Sequence, residues 1–222
     1  MTTGPLEAFN DGVFAIAITL LVLGIAVPPP GTTLGAELLR LWPSFLTYVV
    51  SFLLIGAIWI NHHAIFRHIV RADGTLPVLN LLQLMVFAFL PFPTSVLAEA
   101  FLRGTDEGIA VALYGGTLVV GSLFVNAVWQ YAARSHLLGA HLTTGEARQL
   151  GRRYLVGLLL YAVSIVVGLV LPWLALLLYV FITAFYLWPH GVDEVTLAGT
   201  ADPEQEPEGR PPPLASPKET RR

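Results

Sequence analysis

The stretch that decides the fold lies near the N-terminus and reads Phe9-Asn10-Asp11-Gly12-Val13-Phe14-Ala15-Ile16-Ala17-Ile18-Thr19-Leu20-Leu21-Val22-Leu23. A carboxylate stands near its start, and an almost unbroken apolar run follows in which Thr19 carries the one hydroxyl. A simple membrane anchor needs neither Asp11 nor a hydroxyl in mid-segment. We therefore expect a membrane helix that has a task besides anchoring.

The composition of the whole chain points to a membrane protein. Of the 222 residues, 55% are hydrophobic and 12% are charged, whereas soluble domains usually carry about 25% charged residues. The chain has no cysteine, which excludes a disulfide framework, a thiolate metal site and a cysteine nucleophile. No cleavable signal peptide is expected, because no basic region precedes the apolar stretch.

Six windows approach the roughly 20 apolar residues that a membrane-spanning helix needs. The predicted spans are Leu6–Val27, Trp42–Phe66, Leu76–Phe101, Ile109–Ala133, Tyr154–Leu171 and Pro172–Trp188. Prolines in the third span predict a kink or an early end, and the fifth and sixth spans should form a tight helical hairpin. The predicted fold class is all-α, with a six-helix transmembrane domain over residues 1–189 and a disordered cytoplasmic tail over residues 190–222.

The positions of lysine and arginine predict the orientation in the membrane. Ten of the 12 such residues lie in the loops after the second and fourth spans and in the tail. The other two are Arg40 and Arg103. Cytoplasmic loops carry the excess of positive charge. The chain is therefore expected to be a multi-pass protein of the cell membrane whose two termini are cytoplasmic.

Three apolar residues of the first span share one helical stripe. Ile16, Leu20 and Leu23 follow i, i+4, i+7 spacing, and Thr19 borders them. One interpretation of this stripe is ordinary packing or contact with lipid. The other is that copies of the helix from several subunits surround an axis, so that rings of Ile and Leu form a constriction that gates by dewetting.

Asp11 also allows two interpretations. Asn10 or Asp11 could cap the first free amides of the helix. Alternatively, Asp11 belongs to a polar network between helices, because the predicted topology brings several partners to its depth: Trp59, Asn61, His62, His63 and Asn80. Adjacent residues point about 100° apart on a helix, so only one of the two neighbouring histidines is expected to face Asp11.

No enzyme class is favoured by the remaining residues. His62, His63 and His68 form a small histidine cluster, but the other histidines stand singly, so no catalytic metal or cofactor is expected. No Ser/His/Asp arrangement, phosphate-binding glycine loop or nucleic-acid signature stands out.

Residues 9–23 closely resemble the first-helix signature of the transmembrane protein 175 family. These proteins are potassium channels, lysosomal in animals and built as single six-helix units in prokaryotes. Two further stretches resemble the family, in the second and third spans: Trp59-Ile60-Asn61-His62-His63, and Asn80-Leu81-Leu82 with Leu90-Pro91-Phe92-Pro93-Thr94.

The resemblance implies a homotetramer whose pore is lined by the first helix of each subunit, without a re-entrant filter loop. It places Ile16 at the principal constriction, Leu20 and Leu23 at the following rings, and Thr19 at a hydroxyl position associated with potassium preference. It also implies a polar network that packs the first three helices, formed by Asn10, Asp11, Trp59, His62 or His63, and Asn80.

The chain departs from the family signature at three positions. Pro5 stands where the signature has arginine, Asn10 where it has serine, and Gly24 where it has a carboxylate. Loss of the arginine puts the usual network in doubt, and loss of the carboxylate removes a ring of charge that could attract cations.

The predicted function is passive, moderately selective potassium conduction across the lipid bilayer, with no nucleic-acid partner. An apolar constriction favours ions that shed water more readily, and potassium does so more readily than sodium. The alternatives are a proton-coupled secondary transporter or proton-permeable channel, in which Asp11 and a neighbouring histidine titrate, and a structural membrane protein without transport.

Overall fold

The chain folds into a bundle of α-helices joined mostly by short loops. The computed structural model describes residues 4–140 and 142–187. The helices are α1 (Gly4–Leu20), α2 (Leu34–Arg40), α3 (Trp42–His68), α4 (Leu76–Phe89), α5 (Pro91–Arg103), α6 (Glu107–Arg134), α7 (Thr144–Gly168) and α8 (Pro172–Leu187). A 3₁₀ turn over Leu21–Gly24 follows α1. The predicted disordered tail lies outside the described residues.

Most of these helices have the length and hydropathy of membrane spans. Five segments qualify, namely Gly4–Gly24, Trp42–His68, Leu76–Arg103, Glu107–Arg134 and Thr144–Gly168. The apolar part of α8, Pro172–Tyr186, forms a shorter sixth segment. The predicted all-α membrane architecture is therefore confirmed, including the tight hairpin between α7 and α8.

Several predicted helix bounds were wrong. The α-helix of the first span ends at Leu20 and does not reach Val27. A 3₁₀ turn begins at Leu21, and the backbone is extended at Ile25. In the third span, by contrast, the interruption predicted from the prolines is present: α4 ends at Phe89 and α5 begins at Pro91, because Pro91 has no amide hydrogen to donate.

The fifth span begins earlier than predicted. Its helix starts at Thr144 rather than Tyr154, with a capping box in which the side chains of Thr143 and Glu146 bond each other's backbone amides. The apolar window alone missed this polar first part. The short α2 was not predicted either, because its seven residues carry no membrane-length pattern.

The interior of the bundle combines apolar packing with a small hydroxyl cluster. Leu54 and Leu118, each 1% exposed, belong to the main apolar core. Within it the Thr94 hydroxyl donates to the Ser51 oxygen at 2.9 Å, and Ser51 shares a 3.0 Å hydrogen bond with the Tyr114 hydroxyl. These bonds join α3, α5 and α6 at one depth and fix their relative rotation.

Two loops are tied together at one end of the bundle. The Val70 amide donates to the Leu137 carbonyl at 3.0 Å, and the Gly139 amide donates to the His68 carbonyl at 2.9 Å. The loop after α3 and the loop after α6 thus form a short antiparallel contact. This contact joins the loop that leads from α3 to α4 with the loop that leads from α6 to α7.

Candidate functional site

The first helix presents two different faces. On its buried face at most 3% of each side chain is exposed, and that face carries Asn10, Phe14, Ala17 and Leu21. Another face exposes Ile16 by 62% and Leu20 by 42%, and Leu23, which is 76% exposed, continues this face in the 3₁₀ turn that follows α1. The predicted stripe therefore takes no part in the core of its own chain. Its side chains are exposed on the surface of the described chain.

Thr19 lies beside this apolar face and is also exposed. Its hydroxyl donates to the Ile16 carbonyl at 2.9 Å. Because the hydroxyl proton is used inside the helix, the lone pairs of the oxygen point away from the backbone. Thr19 thus offers an acceptor, which suits a cation rather than an anion.

A chain of buried hydrogen bonds holds the other face of α1 against α3 and α4. The Asn80 side-chain nitrogen donates to Asn10 Oδ1 at 2.7 Å, and Asn80 Oδ1 lies 3.0 Å from His62 Nε2. Since that oxygen can only accept, His62 Nε2 carries the proton in this arrangement. The exposed fractions are 1% for Asn10, 0% for Asn80 and 4% for His62.

Aromatic packing supports this hydrogen-bond chain. The Phe14 ring contacts the His62 ring edge-on with centroids 5.3 Å apart, and it lies 5.8 Å from Phe87. On the other side of His62, the Phe66 ring stacks at 4.6 Å. The rotation of α1 is therefore set by polar bonds at Asn10 and by ring packing one turn later.

Asp11 lies outside this chain, in a separate exposed pair. The Trp59 indole nitrogen donates to Asp11 Oδ1 at 2.8 Å, and the His63 ring packs beside Trp59 with centroids 5.8 Å apart. Within the described residues, neither His62 nor His63 forms a hydrogen bond with Asp11. The structure thus divides the expected single network into a buried part and an exposed part.

The capping interpretation of Asp11 was wrong. The helix begins at Gly4, so both Asn10 and Asp11 lie well inside it. Asn10 was expected in the same polar network as Asp11, and in the structure it is Asn10 that makes the buried contact, with Asn80. The spacing of Asn10 with Phe14, Ala17 and Leu21 is the signal that marks it as part of the packed face. In the described ranges no three His, Cys, Asp or Glu side chains gather as a metal site.

Gly24, one of the departures from the family signature, packs closely against α5. A Cβ atom at this position would clash with the Ser95 hydroxyl, which itself donates to the Pro91 carbonyl at 3.0 Å. The lack of a side chain at residue 24 therefore lets the 3₁₀ turn approach α5 without displacing the Ser95 hydroxyl.

Comparisons with known proteins agree with this architecture. The family model for the endosomal/lysosomal potassium channel TMEM175 matches residues 5–91. The crystal structure of a lysosomal potassium-selective channel TMEM175 homolog from Chamaesiphon minutus superposes with a TM-score of 0.75 at 36% sequence identity, covering 83% of this chain and 95% of that one. The chain belongs to the TMEM175 family.

Other TMEM175 relatives differ in how much of their length is matched. A potassium channel from Streptomyces collinus is 43% identical over 170 residues, which cover 73% of this chain and 81% of that channel. The endosomal/lysosomal proton channel TMEM175 of Mus musculus is 35% identical over 136 residues. That match covers 57% of this chain but 27% of the mouse protein.

Proposed function

We propose that this protein is a moderately potassium-selective channel, in which α1 of each of four identical subunits lines a passive pore. The observation that carries the proposal is the two-faced first helix. Its Asn10 face is fixed inside the subunit, while the face of Ile16, Leu20 and Leu23 stays free of the chain's own core. The potassium channels similar to this chain, named above, support the choice of ion.

Ile16 is the proposed constriction. Four copies of a side chain that is 62% exposed in the protomer would surround the axis and leave a narrow apolar ring. Such a ring conducts only ions that give up hydration water, and it closes by dewetting when it narrows. Thr19, less than one turn away, supplies hydroxyl oxygens that can replace part of the lost hydration.

The proposed orientation places both termini in the cytoplasm of a cell-membrane protein. The basic loops after α3 and α6 lie at the same end of the bundle, where backbone hydrogen bonds join them. Arg40 and Arg103 lie in the loops on the other side. This division of charge supports the orientation under the positive-inside rule.

The test is an ion-flux measurement on purified protein in liposomes. We expect potassium to permeate better than sodium under bi-ionic conditions. Ile16→Asn should increase the flux of both ions and move the permeability ratio towards one, because an amide wets the constriction. Leu177→Asn is the matched control, since Leu177 is 64% exposed on α8 and should leave the ratio unchanged. Equal ratios in the wild type and Ile16→Asn would refute the assignment of Ile16.

Proton permeation is a second candidate function. The mouse relative is named a proton channel, and the anchor of α1 contains a histidine at position 62. A pH gradient across the same liposomes separates the two functions. With a permeant anion present to balance the charge, a proton-permeable pore collapses that gradient in potassium-free buffer, whereas a pore that excludes protons preserves it.

A further inference from the structure

A basic cleft is lined by no described residue of α1, the helix that is proposed to line the pore. It is formed by the end of α6, the loop that follows it and the first turns of α7, and its volume is about 700 Å³. Arg134, Arg148 and Arg152 line it, together with Trp129 and Leu155. The backbone bond from the Gly139 amide to the His68 carbonyl ties the loop wall of this cleft to α3.

No carboxylate among the described residues lines the cleft. Arg134 hydrogen-bonds the neutral side chain of Gln130 at 3.0 Å, and no ion pair forms at Arg148 or Arg152 in the described part of the chain. Glu146 lies nearby but is engaged with the Thr143 backbone and hydroxyl, each at 2.8 Å. The cleft therefore has a net positive charge.

The arginines continue into an apolar strip along α7. Arg148, Arg152, Leu155 and Leu159 follow i, i+4, i+7, i+11 spacing, so they share one face of the helix. Leu155 is 42% exposed and Leu159 is 64% exposed, and Val166, 68% exposed, extends the strip. From Arg152 to Val166 this face runs about 21 Å at 1.5 Å per residue, which exceeds the roughly 15 Å hydrocarbon depth of one leaflet.

We propose that this cleft and strip bind an anionic phospholipid, with the phosphate between the arginines and an acyl chain along α7. Guanidinium groups match phosphate oxygens in geometry and charge, and basic pockets beside transmembrane helices are known sites for acidic headgroups. The arginines are continuous with an exposed apolar strip, which favours a lipid over a soluble phosphate. An acyl chain can pack along the strip, whereas a soluble phosphate has no apolar part that would contact it.

The experiment uses the full-length protein in uncharged detergent, titrated with phosphatidylglycerol or with phosphatidylcholine. Native mass spectrometry measures how many lipids each subunit retains. Arg148→Gln with Arg152→Gln should weaken phosphatidylglycerol binding about twenty-five-fold, since each interfacial arginine contributes about a five-fold factor. Retention of phosphatidylcholine should not change.

Two control variants separate a built site from general attraction. Arg67→Gln with Arg71→Gln removes two exposed charges from the α3–α4 side of the same end, and it should leave phosphatidylglycerol retention within about two-fold of the wild type. Arg148→Lys with Arg152→Lys keeps the charge but loses the guanidinium geometry, so it should bind more phosphatidylglycerol than the glutamine variant and less than the wild type, which also reports that the α7 variants fold.

Three outcomes would overturn the proposal. One is a loss of phosphatidylglycerol binding in the Arg67/Arg71 variant as large as that in the Arg148/Arg152 glutamine variant, which would indicate nonspecific attraction. Another is retention of phosphatidylcholine equal to that of phosphatidylglycerol. The third is displacement of phosphatidylglycerol by millimolar glycerol 3-phosphate, which would make the cleft a site for a soluble phosphate.

Discussion

Replacing Asn80 by leucine should release the first helix from its anchor. Asn80 is fully buried and bonds Asn10 on one side and His62 on the other. Leucine has the same branched shape and number of non-hydrogen atoms but offers no hydrogen bond. The change therefore removes both bonds at once and leaves Asn10 Oδ1 and His62 Nε2 without their partner in an apolar interior.

The magnitude follows from the two lost bonds. Hydrogen bonds between membrane helices contribute about 0.6 kcal/mol on average and up to about 1.7 kcal/mol. Two such bonds give about 1–3 kcal/mol of lost stability. The Phe14 packing on His62 remains, so the helix should stay folded but should rotate more freely.

The assay is the free energy of unfolding in mixed detergent micelles, combined with flux in liposomes. Gln83→Leu is the matched control, because Gln83 lies three residues along the same helix and is 1% exposed. In the described part of the chain, neither polar atom of its side chain has a hydrogen-bond partner. We expect Gln83→Leu to cost less than Asn80→Leu and to leave the permeability ratio intact, whereas Asn80→Leu lowers that ratio.

The reasoning fails if both substitutions lower stability by the same amount. Equal losses would mean that the buried amide bonds do not hold α1. An Asn80→Leu variant with lower stability but an unchanged permeability ratio would separate folding from function, because the anchor would then not position the pore-lining face.

Two further changes test the loops and turns around the bundle. Gly24→Ala should destabilise the protein by about 1–3 kcal/mol, because the new methyl group clashes with Ser95, and Ser95→Gly in the same chain should recover part of that loss in the unfolding assay. Asp73, in the α3–α4 loop, has a pKa below its ordinary value of 3.8, because it accepts hydrogen bonds from the Tyr131 hydroxyl and from the Leu76 and Thr75 amides. The ionised Asp73 carboxylate therefore stabilises the folded state fully above pH 3.8. This stabilisation is lost as the pH falls through the lowered pKa of the folded protein. The thermal unfolding midpoint of Asp73→Asn should accordingly lie below that of the wild type at neutral pH, and the two midpoints should converge in acid. A constant difference between the midpoints at every pH would contradict this account.

The sequence predicted the helical membrane fold and the apolar stripe, because both depend on local patterns. A spanning helix needs a run of apolar residues, and a stripe needs only the 3.6-residue period. The same reasoning missed the start of α7 at Thr144, because its first turns are polar and a search for apolar windows passes over them. It did predict an interruption of the third span at its prolines, but left open whether the helix kinks or ends there, since proline allows both.

Tertiary structure decided which polar groups meet. Asn10 and Asp11 are neighbours in the chain, yet the first is buried against Asn80 and the second is exposed beside Trp59. Their side chains leave the helix about 100° apart, so the docking of α1 on α3 and α4 alone determines which one is buried. By itself, the sequence determined that α1 spans the membrane with an apolar stripe. Only the packed bundle decided that this stripe stays free of its own chain, because helix rotation is set by contacts between residues distant in sequence.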